Sequence, residues 1–179
     1  VWGMDVSGDW QGAGGVGGLL WVLEAPTGTN ITAHYVAYDG NGNVMGLVHA
    51  ADGTWSARYE YGPFGEVIRA TGAMAAANPF RWSTKIQDED SGLNYYGYRY
   101  YSAAVGRWLN KDPLEERGGR NLYGFVNNSP INIVDKDGRI FEGGVEVPPP
   151  NNLNSLPSGP RRCSLLSRLS IPADRKSVV

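Results

Sequence analysis

Between Ile31 and Tyr61 apolar and polar positions alternate with a period of two in three runs, ITAHYVAYD, NVMGLVH and TWSARYEY. That period places successive side chains on opposite faces of a strand, so three strands are predicted. The runs are separated by Asn41-Gly42 and Asp52-Gly53, dipeptides that tolerate the positive φ of type I′ turns and therefore predict consecutive hairpins. In the third run Trp55, Ala57, Tyr59 and Tyr61 share one face, while Thr54, Ser56, Arg58 and Glu60 share the other. The prediction is a meander with one aromatic face and one wet face. A weak internal repeat supports it, because VAYDGNGNV aligns with YEYGPFGEV and keeps Tyr-x-x-x-Gly-x-Val.

Farther along, FRWSTK (Phe80 to Lys85) alternates and predicts a strand, QDEDSG a loop, and LNYYGYRYY a strand pair. In GGRNLYGFVNNSP the apolar Leu122, Phe125 and Val126 are spaced i, i+3, i+4 behind a capping Asn121, which predicts one or two helical turns ending near Asn128. Upstream, GAGGVG formally matches the dinucleotide fingerprint. That fingerprint needs a helix N-terminus after the glycines, whereas Leu19 to Leu23 follows and reads as a buried strand, so a flexible turn is predicted instead. No aromatic residue follows Phe141, and EVPPPNNLNSLPSGP is too polar and proline-rich to offset its chain entropy. The organisation read from the chain is hairpins over 1–92, a distinct aromatic and turn-rich segment over 93–139, and a disordered tail over 140–179. The closing DRKSVV resembles adapter-encoded sequence, and the start at Val1 is that of a fragment.

Composition agrees with an all-β class: there are 25 glycines, 10 tyrosines and 6 tryptophans, and charged residues make up only 19%. Residues 1–159 hold 11 Lys and Arg against 17 Asp and Glu, while the last 20 hold 5 against 1. An acidic body lacks the footprint that phosphate backbones require, so no nucleic-acid partner is expected. A single cysteine, Cys163, cannot form a disulfide or a thiolate metal site within one chain. His34 and His49 fall on separate strands without ligand spacing and read as ordinary sheet residues; no metal or cofactor is expected. No run approaches the roughly 18 apolar residues of a membrane span.

The segment GYRYYSAAVGRWLNKDP and the residues after it carry a resemblance. Tyr98, Tyr100, Tyr101, Gly106, Arg107, Trp108, Asp112, Pro113, Asn121, Leu122, Tyr123, Asn128, Pro130, Asp135 and Gly138 occur in one ordered string. This string resembles the C-terminal repeat-associated core of the RHS/YD-repeat family, with AYDGNGNV and YEYGPFGEV as degenerate YD repeats. The resemblance covers about residues 1–140. It implies meandering YD hairpins that form part of a β-shell, closed by a short helical or loop plug near residues 112–138.

The resemblance implies a secreted or cell-surface bacterial protein whose partners are an upstream shell of the same polypeptide and a C-terminal toxin or other cargo. It also implies, in many members, an aspartic-type autoprotease; the matching carboxylates are Asp112 and Asp135, with Lys111 in support and a cut near Arg139. Two carboxylates that share a proton split their titrations, leaving one as base and one as acid. Lys111, Lys136 and Arg139 depart from the family's usual Arg, Pro and apolar residue. Read from residues alone, Asp112 and Asp135 are also ordinary turn carboxylates. The clustered tyrosines could pack neighbouring hairpins or stack on cell-surface glycans, the third reading being an adhesive repeat. Arg107, next to Trp108, reads either as a functional cation or as a guanidinium that stacks on a ring and pairs with a carboxylate, locking the plug, the latter being favoured.

Overall fold

A computed structural model describes residues 1–25, 31–139 and 145–146. All of these lie in one compact unit, Val1–Pro149. Strands β1 (Trp21–Glu24), β2 (Thr32–Tyr38), β3 (Val44–His49), β4 (Trp55–Tyr61) and β5 (Val67–Thr71) form a five-stranded antiparallel sheet in chain order. Strands β6 (Ile86–Gln87), β7 (Leu93–Tyr95), β8 (Tyr100–Ser102) and β9 (Arg107–Trp108) form a four-stranded sheet, again in chain order. A third pair joins β10 (Ile133–Val134) to β11 (Val145–Glu146). The all-β meander is therefore observed, and no described helix is long and apolar enough to cross a membrane.

The alternation in β4 becomes burial. Ala57 and Tyr59 are buried with Val44 and Leu47, and Tyr61 packs at the margin of the same cluster. Trp55 does not share the face of Ala57: the register shifts between Leu47 and Val48, and Trp55 lies exposed beside the Arg58 guanidinium, 5.1 Å from its ring. His34 and His49 face each other across β2 and β3, as ordinary sheet residues do.

Local geometry corrects several expectations. Gly42 and Gly53 take positive φ while Asn41 and Asp52 do not, so neither hairpin turn is type I′. Instead the Asp39 carboxylate accepts hydrogen bonds from the Asn41 and Asn43 amides, both at 2.9 Å, and closes the first turn from within. FRWSTK is not a strand: Trp82–Thr84 is a 3₁₀ turn with Ser83 and Thr84 at positive φ. Its Ser83 amide donates to Asn43 Oδ1 at 2.8 Å and Thr84 Oγ1 donates to the Gly42 carbonyl at 2.8 Å, tying the turn to the first hairpin. Such tertiary bonds outweigh the local strand preference.

The helical turns expected from Asn121 to Asn128 reduce to one 3₁₀ turn, Val126–Asn128, with another 3₁₀ turn, Glu115–Gly118, upstream of them. Val126, Asn127 and Asn128 all sit at positive φ, which no right-handed helix accommodates. The strand after the glycines is an edge strand, with Leu20 and Leu23 half exposed rather than buried. The glycine segment is a tied loop: Asp5 accepts the amides of Ser7, Ala13 and Gly15 and the Ser7 hydroxyl. Within the expected tail, Val145–Glu146 are a strand, and the rest, DRKSVV included, lies outside the described residues.

The four-stranded sheet carries an aromatic core made of Trp82, Tyr96, Tyr101, Trp108 and Phe125. Tyr101 stacks on Phe125 with centroids 3.8 Å apart, and Trp108 meets Tyr96 and Phe125 edge to face at 5.0 and 5.2 Å. Contacts of this kind add roughly 0.5–1.5 kcal/mol each beyond area burial. Tyr101 donates to the Phe64 carbonyl at 2.7 Å, linking this core to the turn between β4 and β5.

Candidate functional site

Asp112 and Asp135 come together in the structure. Asp112 follows β9, where its amide donates to the Leu122 carbonyl at 3.0 Å and its Oδ1 accepts the Leu114 amide at 2.7 Å. Asp135 follows β10 and folds the next residues back on itself, Oδ1 accepting the amides of Asp137 and Gly138 at 3.0 and 2.7 Å. Both serve as turn carboxylates, yet both are buried, at 3% and 4% exposure.

Arg99 lies between them, 1% exposed, on the loop from β7 to β8. Its Nη2 is 3.0 Å from Asp112 Oδ2 and 3.9 Å from Asp135 Oδ2. Nη1 donates to the Leu122 carbonyl at 3.3 Å, and Nε donates to the carbonyl of Gly138. The guanidinium lies 4.2 Å from the Trp108 ring centroid. One planar cation thus joins two acids, two backbone carbonyls and the aromatic core, which the fixed fork of arginine suits and the point charge of lysine does not.

Burial pushes the Asp135 carboxyl up to about 6, against the opposing pull of the Gly138 and Asp137 amides and the Arg99 charge. Its Oδ2 is buried and accepts no hydrogen bond among the described residues. Burial also draws the Arg99 guanidinium below its ordinary value, opposed by Asp112 and Asp135. A cavity of about 790 Å³ opens beside Asp112, lined also by Lys111, Leu114, Glu116, Arg117 and Leu122.

The remaining string residues divide between core, turn and surface. Tyr101 and Trp108 are core, whereas Tyr98 and Tyr100 are exposed, so the tyrosine cluster divides between packing and surface. Gly106 (φ 64°) ends the 3₁₀ turn before β9. Asn121 Oδ1 accepts the Tyr123 amide at 3.2 Å, and the Tyr123 carbonyl accepts the Trp108 amide at 3.0 Å. Pro113 and Asn128 are exposed in turns, while the carbonyl of Pro130 accepts Asn41 Nδ2 at 2.7 Å.

Lys111 is exposed and forms no ion pair with either acid among the described residues. Arg107 stacks over Tyr123 at 5.2 Å without a carboxylate partner among the described residues. The locking cation expected at Arg107 is Arg99. A signal for it was present: in the run Tyr98 to Tyr101, Arg99 shares the face of Tyr101, not that of the outward Tyr98 and Tyr100. Among the described residues no group of three or more His, Cys, Asp or Glu is placed to hold a metal.

No family model matches the chain. Over 123 residues, 67% of its length, it is 37% identical to toxin subunit YenC2 of Yersinia entomophaga, and over 65 residues, 36% of its length, 42% identical to toxin protein Tse5 of Pseudomonas aeruginosa. The crystal structure of TcdB2-TccC3-Cdc42 superimposes with a TM-score of 0.58 at 32% identity over 65% of the chain. The chain belongs to the RHS/YD-repeat family. It spans 13% and 5% of those two relatives and 6% of the superimposed chain. In this RHS/YD-repeat chain the aligned runs VAYDGNGNV and YEYGPFGEV fall on the β2–β3 and β4–β5 turns.

Proposed function

We propose that this RHS/YD-repeat chain is the C-terminal core of a toxin-delivery polypeptide, sealing a β-shell around a C-terminal cargo in a protein that is secreted or displayed at the cell surface. The observation that carries the reading is the buried lock, in which Arg99 joins the segments of Asp112, Leu122 and Gly138 to Trp108. A segment that only connected two domains would need no such lock. Among the described residues no strand pairs the outer edge of β5, and exposed Ile68 there supports continuation of the sheet by neighbouring hairpins. Relatives named as toxin subunits and a toxin protein support the cargo class.

The test is proteolysis of the full parent polypeptide. A sealed shell leaves the segment after residue 139 resistant to added protease, and Arg99→Met exposes it. Equal digestion of that segment in the wild type and the variant would remove the sealing role.

A second reading is favoured by the contact of Arg99 Nε with the Gly138 carbonyl and by Asp135 Oδ2, which accepts no hydrogen bond among the described residues. On this reading the site is an aspartic-type autoprotease that cuts the chain near Arg139. One carboxylate takes a proton from the attacking water, and the other donates a proton to the departing amine. The carbon gains the hydroxyl oxygen and the C–N bond breaks. A denaturing gel of the parent with Asp112→Asn and Asp135→Asn controls decides it: an uncut wild type refutes cleavage, and a cut lost in either variant establishes it.

A further inference from the structure

The turn from Asp135 to Gly138 has each of its three following carbonyls occupied by a separate donor. Gly138 O receives Arg99 Nε, Asp137 O receives the Tyr98 amide at 3.0 Å, and Lys136 O receives Lys85 Nζ at 2.8 Å. The first two donors come from the loop between β7 and β8. Lys85 comes from elsewhere, the end of the 3₁₀ turn before β6, and its ammonium also donates to the carbonyl of Gly14 at 2.9 Å. It is 9% exposed and lies 5.3 Å from the centroid of the Tyr96 ring.

The segments on either side of Lys85 are themselves fixed. Thr84 Oγ1 accepts the Gly17 amide at 2.8 Å, and Val16 and Ala13 are buried against Val134, the residue before Asp135. Gly14, at φ +67°, packs so closely on the Lys136 carbonyl that a Cβ there would overlap it. Asp5 holds the loop closed from inside through Ala13 and Gly15.

We infer that Lys85 is the positioning residue of the Asp135–Gly138 turn, its ammonium fastening the glycine-rich loop to the Lys136 carbonyl and so fixing the Gly138 carbonyl and the Asp135 carboxylate against Arg99. A buried ammonium that stands between two carbonyls and faces an aromatic ring satisfies its donors only while loop and turn are docked. Burial also draws its amine down to about 8, against the raising charges of Asp135, Asp137 and Asp5. The role deepens the self-cleavage reading but does not depend on cleavage for its test.

Amide hydrogen exchange on the full chain measures the docking directly. In Lys85→Met the amides of Asp137 and Gly138 should exchange at least about tenfold faster than in the wild type, while those of Leu47 and Ala57 in the five-stranded sheet remain unchanged. Lys85→Gln, which keeps two donors without the charge, should fall between them. Gly14→Ala attacks the same fastening from its other side and should give the same local acceleration, which keeps the inference testable if Lys85→Met does not fold. Exchange at Asp137 and Gly138 within about twofold of wild type, or acceleration shared equally by the sheet, overturns the inference. In the parent polypeptide the Met variant should also slow self-cleavage; a parent that never cuts removes the protease reading alone and leaves the exchange result to decide the role of Lys85.

Discussion

Asp135→Asn isolates the energetics of the buried acid. The carboxyl titrates near 6 in the folded chain against an ordinary value of 3.8, burial being the first cause. The folded state therefore holds a proton that the unfolded state has released between those pH values. Stability from this group is fully present below about pH 4 and falls as pH rises through about 6. A displacement of about 2 pH units at 1.36 kcal/mol each gives about 3 kcal/mol. Asparagine keeps an Oδ1 acceptor for the Asp137 and Gly138 amides and carries no charge at any pH. The variant should thus gain about 3 kcal/mol relative to wild type between pH 4 and pH 7.5. Urea unfolding followed by tryptophan fluorescence at pH 4, 5, 6 and 7.5 measures the difference, and carboxyl ¹³C NMR assigns the midpoint. A difference that stays flat within about 0.5 kcal/mol, or that moves in favour of the wild type, refutes the reasoning.

Arg99→Met leaves two buried acids without their cation and should cost about 3–5 kcal/mol, read as a lower urea midpoint; Arg99→Lys should recover only part, since a point charge cannot hold Asp112 and both carbonyls at once. Trp108→Ala removes the ring beneath Arg99 and the edge contacts to Tyr96 and Phe125, with an expected loss of about 3–5 kcal/mol by the same measurement. Gly138→Ala strains a φ of +85° and brings a Cβ to 3.0 Å from the Arg99 amide nitrogen; it should cost at least about 1 kcal/mol and speed exchange at the Gly138 amide. Full retention of stability in this last variant would show that the turn has another backbone geometry open to it.

Three strands were legible because β2, β3 and β4 alternate in a period that only a pleated backbone satisfies and end at glycine turns. The two acids were also legible, but only through the resemblance of the ordered string, because an Asp before Pro and an Asp before a glycine turn read equally well as local turn residues. FRWSTK and the Leu122 to Val126 spacing misled for a shared reason. Their backbones follow tertiary hydrogen bonds, such as Ser83 to Asn43, which no local pattern records.

The chain's alternation and turn chemistry alone determined an antiparallel meander with an aromatic face, since side-chain direction in a strand depends only on position. Only the tertiary structure decided which cation serves the two acids. Arg99, Asp112, Asp135 and Lys85 come from four separate stretches of the chain, and burial shifts the titrations of Asp135, Arg99 and Lys85, because the cost of an ion depends on the water removed around it.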